Sequence, residues 1–185
     1  MYSPWGPVEQ STPIISSDLL WVSTAGHGGL MVTKAFAEKH LSAAARKRGE
    51  KCGDYVCFEE DCAWQIAAFE LKSPYRERLL DDDTGVIREQ YDRNRLLEAL
   101  SFWYADYLIE IGEKPVEPQY ARFRKKKLSD HMRKNKHHNL IVCVSTYGPG
   151  VIKVWTADGK EHFVTTESYH KRDLDINLLS NCQVI

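Results

Sequence analysis

The chain has 185 residues, 43% of them hydrophobic and 28% charged, with a net charge of −1. That is enough apolar material for an ordinary domain with a buried core, and it excludes general disorder. A near-zero net charge excludes a global field toward polyanions, and no run approaches the roughly 18 apolar residues of a membrane span.

In chain order, the opening "MYSPWGPVEQSTPIISSD" lacks a cationic start followed by an apolar core, so no secretory leader is expected. Its Pro and Ser content predicts an extended, loosely attached arm over 1–17. Residues 18–24 and 30–33 read as strands joined by the glycine-rich turn of "STAGHGG". Thr33 then caps a predicted helix over 34–48 that ends at Gly49. "DYVCF" is a further strand, and "EEDCAWQIAAFELK" reads as a helix with Glu59, Glu60 and Asp61 in its first turn.

The longest predicted helix covers 87–112. Leu96, Leu97, Leu100, Trp103, Tyr104, Tyr107, Leu108 and Ile111 recur at steps of three and four, one wide face expected to be buried. The basic stretch "ARFRKKKLSDHMRKNKHH" is a further helix candidate. "NLIVCVSTYGPGVIKVWTADGKEHFVTTESY" reads as three antiparallel strands, with a tight hairpin at Asp158-Gly159. This order predicts an α+β fold: an antiparallel sheet of N-terminal and C-terminal strands packed on several helices. The organisation expected is the arm 1–17, a single domain over 18–170 with a helical, basic elaboration at 72–138, and a tail 171–185.

Four groups carry chemical potential. The first is the turn, where glycines let backbone N–H groups converge and His27 is available as a general base. Its plain alternative is a hairpin with His27 on the surface, and it lacks the Lys-Ser/Thr of a phosphate-binding loop. The second is Glu59, Glu60 and Asp61, which suit metal or acid–base chemistry but are equally explained by a helix N-terminus that favours negative charge.

The third is Cys52, Cys57 and Cys62, whose four-residue spacers and missing fourth ligand do not match zinc spacing. With Cys143 and Cys182 they are expected as reduced thiols in a cytoplasm, and no metal or cofactor is expected. The fourth is the basic stretch. Residues 122–138 hold eight Lys or Arg against one Asp: Arg122, Arg124, Lys125, Lys126, Lys127, Arg133, Lys134 and Lys136. Such a run suits phosphates or an acidic protein face, and otherwise makes a solvated helix surface.

"WVSTAGHGGLMV", followed some thirty residues later by "CFEEDCAW", resembles an uncharacterised family found in bacteriophages, plasmids and bacterial genomes. The shared features are a Trp-containing strand, a Ser/Thr-x-x-His-Gly-Gly turn and a Glu-Glu-Asp-Cys-x-Trp segment. Here they fall on Trp21, Ser23, Thr24, His27, Gly28 and Gly29, then Glu59, Glu60, Asp61, Cys62 and Trp64. The closing strands are similar more loosely, and 72–138 reads as an elaboration of its own. The resemblance implies no known activity. It implies a phage or mobile-element setting in the host bacterial cytoplasm, and a turn and acidic segment belonging to one site. The expected function is binding to a bacterial protein or nucleoprotein, as an inhibitor of an immune effector of CRISPR or restriction type. The alternatives are a hydrolase-like enzyme using His27 with Glu59, Glu60 or Asp61, and a plain nucleic-acid-binding protein.

Overall fold

A computed structural model describes residues 1–80, 92–173 and 176–185. The fold is α+β. Where the sequence suggests one domain over 18–170, the backbone clusters into two compact units, 1–120 and 121–185.

The first unit is built on a five-stranded antiparallel sheet. Its strands are β3 (Gln10–Ile15), β4 (Leu19–Ser23), β5 (Gly28–Thr33), β6 (Glu50–Cys52) and β7 (Tyr55–Glu59), in the spatial order β3-β4-β5-β7-β6. Successive side chains on a strand point to opposite faces, so the apolar runs divide between two cores. Leu19, Leu30, Val32, Val56 and Phe58 join the larger, helix-covered core. Leu20, Val22, Met31 and Cys57 line the other face.

That second face explains the first departure from expectation. Residues 1–17 are not a loose arm. Tyr2–Ser3 and Gly6–Pro7 form a small ribbon (β1 and β2), β3 pairs with β4, and Trp5 and Val8 pack on the Leu20–Val22–Met31 face. A sheet apolar on both faces must be covered on both, and the N-terminal segment supplies the second cover.

Helices α1 (Lys34–His40) and α2 (Ala43–Arg48) replace the single predicted helix over 34–48. Thr33 caps the first, accepting from the Phe36 N–H, as expected. Ser42 caps the second, accepting from the Ala45 N–H, and its hydroxyl donates to Glu70 at 2.6 Å. A serine with both partners supplied favours a helix start over a helix interior.

Helices α3 (Trp64–Glu70), α4 (Tyr75–Leu79), α5 (Arg93–Trp103) and α6 (Ala105–Glu110) complete the unit. The predicted 87–112 helix is therefore two helices broken at Tyr104 (φ −138°, ψ 42°), and its residues 87–91 lie outside the described ones. Leu96, Leu100, Tyr107 and Leu108 are fully buried, as the spacing implies. Trp103 is not: it is 44% exposed, because the break ends α5 there and turns the next buried face elsewhere. Tyr107 donates to Glu70 at 2.8 Å, and Arg48 pairs with Glu110 at 2.8 Å, so α2, α3 and α6 are tied together at one corner.

The second unit carries most of α7 (Gln119–Lys134) and a separate three-stranded antiparallel sheet. Its strands are β8 (Ile141–Gly148), β9 (Val151–Thr156) and β10 (Glu161–Thr165), followed by α8 (Thr166–Lys171). The N-terminal and C-terminal strands thus form two sheets. The hairpin at Asp158-Gly159 forms as predicted, with Gly159 at φ +88° and the Thr156 hydroxyl donating to Asp158 at 2.6 Å. Ile141, Ile152, Val154, Val164 and Tyr169 make its core. Part of the tail bridges back, with Leu178 opposite Leu140 and Val184 opposite Val164. Among the described residues, no helix is long and apolar enough to cross a membrane.

Candidate functional site

The glycine-rich turn is a hairpin connection between β4 and β5, with Ser23 paired opposite Gly28. The Thr24 N–H and hydroxyl both donate to the His27 carbonyl, at 2.7 and 2.8 Å, and the His27 N–H returns a bond to the Thr24 hydroxyl at 3.2 Å. Thr24 therefore fixes the backbone of His27 while the imidazole stands out from it, its side chain 63% exposed.

Two of the three glycines are demanded by close approach. A Cβ on Gly28 would lie 2.5 Å from the Val22 carbonyl oxygen and 2.6 Å from a carboxylate oxygen of Glu60. Gly29 has φ +153°, and a Cβ there would meet the Phe58 carbonyl oxygen at 2.2 Å and the Trp5 ring at 2.7 Å. Gly26 is open on all sides.

The acidic segment is not a helix start. Glu59 ends β7, opposite Gly29, and the Glu60 N–H donates to the Gly28 carbonyl at 3.1 Å. Helix α3 begins only at Trp64, with no acid in its first turn. Strand pairing with β5 holds Glu59 in β7, and residues 60–63 form a turn before α3, so the helix-dipole explanation is removed. What replaces it is proximity. His27 Nδ1 lies 4.0 Å from a Glu60 carboxylate oxygen, and one ligand atom each from His27, Glu59 and Glu60 lies within 4.8 Å of the others.

Burial is the largest influence on the Glu59 carboxyl and pushes it above the usual carboxylate range. The N–H groups of Asp61 and Cys62 oppose that shift, and the Asp61 charge adds to it. Asp61 itself is exposed and is not one of the three converging groups.

This arrangement offers one imidazole and two carboxylates. It can act as an acid–base pair, or hold a divalent cation if the side chains close in. Ligands around an ion at about 2.1 Å sit roughly 3–3.5 Å apart, nearer than these atoms stand. Of the other predicted residues, Trp64 is core: it is 4% exposed and meets Trp21 edge to face at 6.1 Å. Ser23 is taken up in strand pairing. Cys57 is buried on the second sheet face, and its thiol is pushed up to about 12, chiefly by burial.

The basic stretch is helical as expected, and α7 presents Arg122, Arg124, Lys126, Lys127, Arg133 and Lys134 at the surface. At 100° per residue, Arg122, Lys126 and Arg133 fall within about 40° of one another. Lys125 is partly withdrawn to an ion pair with Asp173, and Lys136 lies past the helix end with φ +49°. A group that sequence reading passed over lies at the other end of β5. There Lys34, Arg46, Lys47 and Lys51 line a common cleft. Their separation in sequence hid them, and only the "ARKR" of α2 signalled part of the set.

A family described as Domain of unknown function (DUF7007) matches residues 1–134. The match takes in His27, Glu59, Glu60 and all of α7, so the helical middle is not an elaboration outside the family. The closing strands lie beyond the match. Neither the curated proteins nor the solved structures include a match to this chain.

Proposed function

The chain belongs to the DUF7007 family of unknown function, and on that premise we propose that it is a mobile-element protein that binds a bacterial nucleoprotein. The observation that carries this reading is the surface of α7: seven Lys or Arg against one Asp in sixteen residues, six of the seven exposed and Lys125 half-buried. In a chain of net charge −1, such a concentration on one helix is a directed feature, and it suits phosphates. The same unit offers apolar surface. Strand β8 is a sheet edge, with Val142, Val144 and Tyr147 exposed along it. A basic helix together with an exposed apolar edge suits a target that presents both nucleic acid and protein. Immune effectors of the CRISPR or restriction type are such targets, and inhibition of one in the bacterial cytoplasm is the use we assign.

The test is affinity capture from host lysate, with and without nuclease, for the wild type and for R122E/K126E/R133E. The expected result is capture that depends on those three residues. Full retention by the triple variant removes α7 from the interface and refutes the reading.

A second reading is favoured by the convergence of His27, Glu59 and Glu60 within 4.8 Å. In it the protein is a hydrolase-like enzyme, His27 acting as base and a carboxylate as acid or cation ligand, on a phosphoester substrate. Turnover of a phosphodiester reporter, with Mg²⁺ or Mn²⁺ supplied and lost in His27→Ala, is the expected result. Equal rates in the two proteins defeat it.

A further inference from the structure

A cleft of about 430 Å³ opens in the first unit, beside the end of β5 remote from His27. Four cations line it: Lys34 at the start of α1, Arg46 and Lys47 on α2, and Lys51 on β6, against one carboxylate, Glu38. The fold explains the convergence. Lys34 directly follows β5, which it leaves toward the helices. Lys51 pairs with Val56 in the β6–β7 register, so it shares the helix-covered face of the sheet. Because β6 is the edge strand, that face stays open over Lys51.

Among the described residues, these cations are not held there by ion pairs. Within the basic run of α2, Arg48 is the residue spent on structure, paired with Glu110 and near Asp106. Among the described residues, no carboxylate lies within 4.0 Å of Lys34, Arg46, Lys47 or Lys51, although Glu38 lines the same cleft. Arg46 is positioned nonetheless. One of its terminal nitrogens donates to the Leu41 carbonyl at 2.5 Å, leaving the remaining guanidinium donors for a ligand. Cations gathered in a concave site repel one another, and a bound polyanion relieves that repulsion. Val56 is buried and adds an apolar surface.

We propose that this cleft binds a small phosphorylated molecule of nucleotide size, with its phosphate chain across Lys34, Arg46, Lys47 and Lys51. The cavity falls in the range of about 300–1,000 Å³ typical of small-molecule sites. The six residues of β5, at about 3.3 Å each, set it about 20 Å from His27. It is therefore a site separate from the acid–base cluster, and it does not rest on the function assigned to α7.

The experiment is calorimetric titration of the full chain with ATP, inorganic tripolyphosphate and adenosine, comparing wild type, K47E/K51E and the α7 variant R122E/K126E/R133E. ATP and tripolyphosphate are expected to bind the wild type and the α7 variant alike, while adenosine does not. Affinity for both should fall at least about tenfold in K47E/K51E, the scale for losing one charge-assisted contact. Circular dichroism checks that this doubly substituted protein is folded, and K47A/K51A provides a milder second variant. Absence of binding by either phosphate probe overturns the proposal. So does unchanged affinity in both cleft variants, or displacement of ATP by a lower concentration of a short single-stranded oligonucleotide.

Discussion

Replacing Gly28 by alanine places a methyl group 2.5 Å from the Val22 carbonyl oxygen and 2.6 Å from the Glu60 carboxylate. Both are far inside ordinary contact, and they differ in what can move. The Glu60 side chain is 35% exposed and can swing away. The Val22 carbonyl is backbone in a central strand, so relief requires β4 and β5 to shift within a packed sheet. Overpacking of a well-filled site costs about 1–3 kcal/mol, and a backbone clash belongs at the upper end. About 3 kcal/mol is a large part of the 5–15 kcal/mol that holds a domain folded, and for a chain of this length it lowers the melting temperature by about 6–12 °C. His27→Ala is the control. Its side chain is exposed and its backbone bonds to Thr24 survive the change, so a difference within about 0.5 kcal/mol is expected. Urea denaturation followed by tryptophan fluorescence reads both, since Trp21 and Trp64 meet in the core. A Gly28→Ala protein as stable as the wild type would refute the strand spacing, and with it the placement of Glu60 beside His27.

Leu108→Ala, at a fully buried position, should cost about 2–5 kcal/mol by thermal denaturation. Cys57 should resist thiol-labelling reagents until the protein unfolds, while the exposed Cys143 reacts in the native state, as mass spectrometry of labelled peptides can show. The same thiol makes stability depend on alkaline pH. Its folded pKa, about 12, lies above the ordinary 9.0, so the native state holds the proton longer and stability falls as pH rises through that window. Cys57→Ala should flatten that fall in urea midpoints measured from about pH 9 upward. Tyr107→Phe should cost about 1.5–3 kcal/mol in the same assay, by removing the hydrogen bond to Glu70 from a buried ring.

What the residues determined alone is what their neighbours in the chain can enforce. Thr33 caps a helix because its hydroxyl reaches a nitrogen three residues on, and Asp158-Gly159 turns a hairpin because glycine accepts φ +88° there. The runs around Trp21 and Leu30 had to be strands, and the basic residues of α7 lie within a single helix whose periodicity orders them. The α+β class comes from these local elements and their order.

Tertiary structure decided the rest. Glu59 and Glu60 stand beside His27 because β7 pairs with β5, a contact across some thirty residues that also overrides the helix their own stretch suggested. The N-terminal segment is bound because the sheet has a second apolar face, a demand invisible from Pro and Ser content. Trp103 belongs to the periodic stripe yet faces water, because a single residue, Tyr104, leaves the helical region and rotates α6 relative to α5. The four cations of the cleft come from two helices and an edge strand, and only the packing of those elements makes their charges neighbours. Local pattern fixes which way a segment bends; burial of its remaining apolar surface decides which distant segment it meets.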